Sequence, residues 1–221
     1  MKFDTTRVAI VDQSRNTLLV RGMNPATSGT FDYDAIGQAL IKRGTDIAGK
    51  KLIVVCVIDN IGERSVWEPE MQAFGVDPNS IPTSQWPPDL NRPNYQPGKP
   101  IGSGQWTSGK FSGVGDMYWW PFEGIPAGEA HPEVYLTNPG WDFSGAVDLI
   151  GDLFHTEENA VVYFHCMLGA DRTGALHTAY LMHDKGMTLE EASRVADSAT
   201  SAKGPNADYQ RLREAYAAWC P

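Results

Sequence analysis

Residues 161–174 read VVYFHCMLGADRTG, in which an apolar run leads into a cysteine, a glycine-containing loop and an Arg-Thr-Gly sequence. The continuous apolar residues predict a buried strand, and the spacing of apolar residues over 174–184 predicts a helix. The sequence therefore predicts a strand, a short loop and a helix in direct succession.

The chemistry of this stretch is that of a phosphate cradle. A loop that curls into a helix N-terminus points backbone N–H groups at one spot, where they and the helix dipole stabilise a dianion. The same field is expected to favour the thiolate form of Cys166, which is the nucleophilic form. Arg172 adds a planar fork that can hold two phosphoryl oxygens at once.

The rest of the chain alternates predicted strands and helices. Strands are predicted over 52–58, 116–122 and 160–164, and two more form a hairpin over 7–21. Helices are predicted over 34–43, 65–74, 143–154, 174–184 and 208–219, with a further one after the capping box of Thr188 and Glu191. This order predicts an α/β fold, a central sheet flanked by helices with a helical C-terminal third.

The length of 221 residues fits one elaborated domain. Residues 76–115 are dense in Pro, Gly, Ser and Asn and show little periodicity. A loop of that length in a compact domain is usually functional or mobile. We therefore expect a single domain over 1–221 with a long inserted loop at about 76–115.

The composition narrows the class of partner. The 18 basic and 27 acidic residues give a formal charge of −9, which argues against broad binding to nucleic acid or to anionic membranes. No apolar stretch approaches the roughly 18–20 residues of a membrane span, and the polar start lacks the layout of a signal peptide. A cytoplasmic protein is the expectation, and the oligomeric state stays open.

The segment His165-Cys166-x-x-Gly169-x-x-Arg172-Thr173 resembles the signature loop of the cysteine-dependent protein tyrosine and dual-specificity phosphatases. The resemblance is strong over 160–185 and implies a two-step reaction through a cysteinyl-phosphate intermediate. It implies that Cys166 attacks phosphorus, that Arg172 binds the phosphoryl group, that Thr173 hydrogen-bonds the sulfur and that His165 orients the loop. The phosphate would lie against the loop residues Met167, Leu168, Gly169, Ala170, Asp171 and Arg172.

The sequence departs from the family's pattern at the position of the general acid. Residues 120–123, Trp-Pro-Phe-Glu, resemble the Tyr-Pro-Phe-Glu-Asp segment of the phosphatase and tensin homologue group, but Gly124 stands in the place of the Asp. Glu123 and Asp171 are the first candidates for the acid. The further candidates, in order, are Asp142 and then Asp89 of the Trp-Pro-Pro-Asp sequence, with Glu129 and Glu133 as carboxylates of an inserted stretch.

The leading hypothesis is a phosphomonoester hydrolase of the tyrosine or dual-specificity type, acting on phosphorylated proteins or small phosphomonoesters. The loop carries no lysine, which disfavours polyphosphorylated rings, although Arg92, Lys99 or Lys110 of the inserted loop are available to supply charge. A phosphoinositide or inositol phosphate phosphatase is one alternative. Gly124 supports another, a domain that binds phosphate without turnover, and sulfur transfer on a rhodanese-like domain is a third.

We expect neither a cofactor nor a metal. His155, His177 and His183 lack the i, i+4 spacing of zinc ligands. Three cysteines are too few for a disulfide framework, and Cys56, inside a predicted strand, is expected to be a small core residue. Whether Cys56 also protects Cys166 by forming a disulfide is left open by the sequence.

Overall fold

The computed structural model describes residues 2–14, 16–27, 29–58, 64–80, 99–105, 110–138 and 141–220. The strands are β1 (Ala9–Gln13), β2 (Leu18–Met23), β3 (Ala26–Thr27), β4 (Thr30–Phe31), β5 (Lys51–Cys56), β6 (Gly102–Gln105), β7 (Val114–Trp119) and β8 (Ala160–Cys166). The helices are α1 (Tyr33–Ile41), α2 (Arg64–Ala73), α3 (Val134–Thr137), α4 (Phe143–Thr156), α5 (Asp171–Lys185), α6 (Leu189–Ser198) and α7 (Ala207–Trp219).

A six-stranded mixed sheet in the order β1-β2-β8-β5-β7-β6 forms the centre of the fold. The four inner strands run parallel, and the two edge strands pair antiparallel to their neighbours. All seven residues of β8 are buried, as expected for a parallel strand covered on both faces. The loop that follows β8 therefore leaves the middle of the sheet, at the carboxyl ends of the parallel strands.

Helix α5 follows this loop and packs against α4, α6 and α7. Its residues 173–181 are all buried, so this stretch of the helix is covered on every side and has no solvent-exposed polar face. Within the described residues, no helix is both long and apolar enough to cross a bilayer.

The structure confirms the predicted α/β class, the hairpin of β1 and β2 and the capping box of α6. The bounds of α2 differ from the predicted 65–74 by one residue at each end, because the helix runs from Arg64 to Ala73. The predicted excursion over 76–115 is interrupted by a 3₁₀ turn over Pro78–Ser80 and by β6, which pairs with β7. Residues 81–98 and 106–109 of that excursion lie outside the described part of the chain.

Candidate active site

The predicted cradle lies where β8 ends, at Cys166, and α5 begins, at Asp171. Gly169 adopts the left-handed conformation with φ 71°. A Cβ at this position would lie 2.6 Å from the carbonyl oxygen of Gly22 on β2. Only glycine meets both conditions, so the loop can lie directly on the neighbouring strand.

Three consecutive carbonyl groups of the loop, those of residues 167–169, point away from the cradle because each accepts a hydrogen bond. The donors, in the same order, are the Asn24 N–H at 3.2 Å, Nη1 of Arg7 at 2.7 Å and Nη2 of Arg21 at 2.7 Å. A trans peptide is planar, so its N–H points opposite to its C=O. The N–H groups of residues 168–170 therefore point to the other side of the loop, where a phosphate cradle needs them.

The side chains around Cys166 hold the start of the loop. Cys166 is 3% exposed, and its N–H donates to Oγ1 of Thr173 at 2.7 Å. His165 is fully buried, with Nδ1 at 3.2 Å from the Cys166 carbonyl and Nε2 at 2.7 Å from Oε1 of Glu70 on α2. The structure thus places Thr173 and His165 beside Cys166, with Thr173 bound to the cysteine's backbone.

Cys56 lies in the same buried cluster. Cys56 and His165 are register partners on β5 and β8, and the potential ligand atoms of Cys56, Glu70 and His165 lie within 4.8 Å of one another. Burial, reinforced by the Glu70 carboxylate, raises the pKa of the Cys56 thiol well above its ordinary value. Cys56 is therefore an unreactive core thiol in this arrangement. The hydrogen bond that joins His165 to Glu70 uses Nε2 and Oε1, while Oε2 of Glu70 is buried with no hydrogen-bond partner among the described residues.

Arg172 is bound to the segment that was expected to carry the general acid. Its Nε donates to the Phe122 carbonyl at 3.0 Å, and its Nη2 donates to Oε1 of Glu123 at 2.6 Å. The hydroxyl of Tyr209 on α7 donates to Oε2 of the same carboxylate at 2.8 Å. Burial opposes the charged form of Arg172, but Tyr209 and Glu123 outweigh it and raise the arginine's pKa.

The structure explains why Gly124 carries no carboxylate. A Cβ at this position would lie 2.8 Å from Cβ of Asp208 and 3.1 Å from the Tyr209 nitrogen. The adjacent Ile125 N–H donates to the Asp208 carbonyl at 3.0 Å, which holds the segment against the start of α7. Any side chain at 124 would push α7 away.

The other predicted acids fall in different places. Oδ1 of Asp171 accepts from the Asn206 N–H at 2.7 Å, and among the described residues Oδ2 of Asp171 has no hydrogen-bond partner. Asp142 is the N-cap of α4 and accepts from the Gly145 N–H at 3.0 Å, which gives it a structural task. Glu129 and Glu133 both bind the exposed His131, and Asp89 lies outside the described residues.

The cations predicted to assist the cradle do not converge on it in the described residues. Lys99 is exposed, Lys110 packs its stem near Gly37 on α1, and Arg92 lies outside the described residues. Sequence reasoning missed four residues that contact the site, namely Arg7, Arg21, Glu70 and Tyr209. Arg21 carried a signal, because it is a charged residue within the apolar run of β2. The other three lie in segments whose contacts only the tertiary structure reveals.

Residues 125–217 match the family model of the dual specificity phosphatase catalytic domain. The match covers 93 of the 221 residues, and over them the chain is similar to a dual specificity phosphatase catalytic domain. The match includes the whole loop from Cys166 to Arg172, while Glu123 lies just outside it. No curated protein matches the chain.

Solved phosphatase structures resemble this chain over nearly its whole length. PTPMT1 in complex with PI(5)P is 11% identical, with 97% of this chain and 96% of that chain covered and a TM-score of 0.50. Human DUSP28 is 15% identical, with 99% and 98% covered and a TM-score of 0.49. The active form of Tk-PTP is 16% identical, with 96% and 97% covered and a TM-score of 0.46. At these identities the likeness to PTPMT1 shows a shared fold.

Proposed function

We propose that this phosphatase domain hydrolyses phosphate monoesters through a phosphorylated Cys166. The observation that carries the proposal is the loop itself, whose three consecutive carbonyls are held outward and whose ends are Cys166 and Arg172. Inward N–H groups stabilise the charge that develops on the phosphoryl oxygens, and they need no rearrangement during the reaction.

The proposed reaction has two steps. In the first, the Cys166 thiolate forms a bond to phosphorus while the bond to the leaving oxygen breaks, and a general acid gives that oxygen a proton. In the second, water attacks phosphorus, loses a proton to the same carboxylate and displaces the Cys166 thiolate, which releases inorganic phosphate. Arg172 binds the equatorial oxygens in both steps.

Asp171 is the carboxylate that we propose as the general acid. Both oxygens of Glu123 accept hydrogen bonds from Arg172 and Tyr209, so this carboxylate holds the arginine in position. Asp171 lies in the loop next to Arg172 and uses only Oδ1 in its bond to the Asn206 N–H. Its second oxygen supports the role of proton carrier.

The rim of the loop favours an aromatic or small phosphomonoester. Leu168 is 41% exposed, and Met167 packs partly against the core. Apolar side chains at these positions suit an aromatic ring better than a ring with several phosphates. We therefore propose phosphotyrosine in proteins, and small aryl phosphates, as the substrate class.

The test is the pH dependence of para-nitrophenyl phosphate hydrolysis by the wild type and the variants Cys166→Ser, Asp171→Asn and Glu123→Gln. We expect Cys166→Ser to be inactive. In Asp171→Asn, the fall in rate on the basic side of the pH profile should disappear, whereas Glu123→Gln should keep it. Cys56→Ser is the matched cysteine control and should remain active. An inactive wild type that binds phosphate would instead indicate a phosphate-binding module, the reading that Gly124 supports.

A further inference from the structure

Arg21 lies behind the phosphate loop, on the strand next to β8 in the sheet. It belongs to β2, pairs with Phe164 of β8 and is 2% exposed, in a strand whose six residues are all buried. Removing a guanidinium from water is costly unless partners replace the lost hydration. The contacts of Arg21 therefore show what this buried charge is used for.

The described contacts of Arg21 are all with neutral acceptors. Its Nη2 donates to the Gly169 carbonyl at 2.7 Å, and its Nη1 donates to the Ala196 carbonyl at 2.8 Å and lies 3.0 Å from Nδ1 of His177. Burial and the neighbouring Arg21 and Arg213 hold the pKa of His177 well below its ordinary value, so Nδ1 accepts from Arg21. Among the described residues no carboxylate contacts Arg21 directly.

The bond to Gly169 orients one peptide of the cradle. With its carbonyl held by Arg21, the peptide that joins Gly169 to Ala170 must point its N–H to the phosphate side. A charged donor also polarises that peptide more strongly than a neutral donor does. The same guanidinium presents a buried positive charge to the back of the loop, where little solvent screens it.

We propose that Arg21 is a positioning residue of the phosphate cradle, which holds the Gly169 carbonyl and supplies a buried positive charge that a bound phosphate dianion balances. This role rests on the proposed function, because it presumes that the loop binds phosphate. Burial lowers the pKa of Arg21 to about 10, while the nearby Cys166 opposes the shift, so the charge is present at neutral pH.

Arg213 of α7 provides a matched control within the same buried cluster. It is 1% exposed and donates to the Gly174 carbonyl at 3.0 Å, which lies in α5 beyond the loop. Unlike Arg21, it is paired with a carboxylate, since its Nη2 lies 2.8 Å from Oδ1 of Asp197. Loss of Arg213 therefore removes a buried arginine without removing an anchor of the cradle.

The test is a calorimetric titration of inorganic phosphate into the full chain. The parent protein carries Cys166→Ser alone, and three further proteins combine it with Arg21→Met, Arg21→Lys or Arg213→Met. Thermal unfolding of each protein reports its stability. We expect Arg21→Met to weaken phosphate binding by about tenfold or more and Arg21→Lys to recover part of the loss, because it keeps the charge without the fork. Arg213→Met should bind within about twofold of the parent despite a comparable loss of stability.

Equal phosphate affinity in the parent and in a folded Arg21→Met protein would overturn the role of Arg21 and leave the proposed function standing. An equal loss of phosphate affinity in Arg213→Met would also overturn the role of Arg21, because the loss would then follow from removing any buried arginine. Should Arg21→Met not fold, Arg21→Lys decides alone, and unchanged affinity in it would overturn the inference. A parent that binds no phosphate would overturn the cradle and the proposed function together.

Discussion

Nη2 of Arg172 lies 2.6 Å from Oε1 of Glu123, so the guanidinium proposed to hold phosphate already holds a carboxylate. Tyr209 secures that carboxylate from the other side through Oε2. A phosphate dianion that enters the cradle must share Arg172 with Glu123. The carboxylate thus both aligns the arginine and competes with the substrate for it.

Glu123→Gln tests this double role. The neutral amide no longer competes for Arg172, so we expect phosphate to bind a few-fold more tightly. We also expect kcat to fall by less than about tenfold, because alignment is weakened but no proton carrier is lost. Phosphate inhibition constants and kcat measure the two effects. Tyr209→Phe removes only the hydrogen bond to Oε2 of Glu123, so it should change phosphate binding and kcat less than Glu123→Gln does. If Glu123→Gln instead loses the fall in rate on the basic side of the pH profile, Glu123 is the general acid.

Gly124→Ala tests the contact that excludes the family's aspartate. The added Cβ would lie 2.8 Å from Cβ of Asp208, so the start of α7 must shift. Overpacking of this kind costs about 1–3 kcal/mol of the free energy of unfolding, which is a fall of about 2–4 °C in Tm per kcal/mol in a protein of this size. Gly151→Ala on α4 is the control, since its nearest neighbour lies 4.0 Å away. A Tm unchanged in Gly124→Ala would contradict the account.

Gly169→Ala tests the close approach of the loop to β2. The new methyl group would meet the Gly22 carbonyl oxygen at 2.6 Å in a backbone with φ 71°. We expect phosphate binding and turnover to fall by about a hundredfold, because the three inward N–H groups lose their alignment. Gly44→Ala controls for backbone strain alone: it has φ 78° with nothing within 4 Å, and it should keep full activity.

His177 makes the stability of the protein depend on pH. Its pKa in the folded state lies well below that of the unfolded chain because it is buried next to Arg21 and Arg213. The unfolded chain therefore binds more protons, and the free energy of unfolding falls as the pH drops below about 6.5, by up to about 1.4 kcal/mol per pH unit. His177→Asn keeps an acceptor for Arg21 and should flatten this dependence in denaturant unfolding curves. An equal slope in both proteins would show that His177 is not its source.

The sequence predicts the cradle because the cradle is local. The apolar run of β8, the glycine of the loop and the start of α5 follow one another within 14 residues, so period and motif suffice. The same holds for the capping box of α6. The exact ends of strands and helices depend on tertiary pairing, which is why β7 begins at Val114 and ends at Trp119 rather than spanning 116–122.

The supports of the cradle could not be predicted because they come from distant parts of the chain. Arg21 reaches Gly169 across 148 positions, and Glu70 reaches His165 across 95. Neither contact produces a periodic pattern in the sequence. Gly124 illustrates the converse case, since its glycine signals a close approach to α7 that becomes visible only once α7 is packed against it.

The central claim is that Cys166 is the nucleophile and carries the phosphoryl group in a covalent phosphoenzyme. Rapid-quench mass spectrometry tests this claim most directly. The wild type is mixed with para-nitrophenyl phosphate and quenched in acid within the first turnover, beside Cys166→Ser and Cys56→Ser. We predict a phosphoryl group on the peptide that contains Cys166 in the wild type and in Cys56→Ser, and none in Cys166→Ser. Turnover by Cys166→Ser at the wild-type rate, or a phosphoryl group on another residue, would contradict the account.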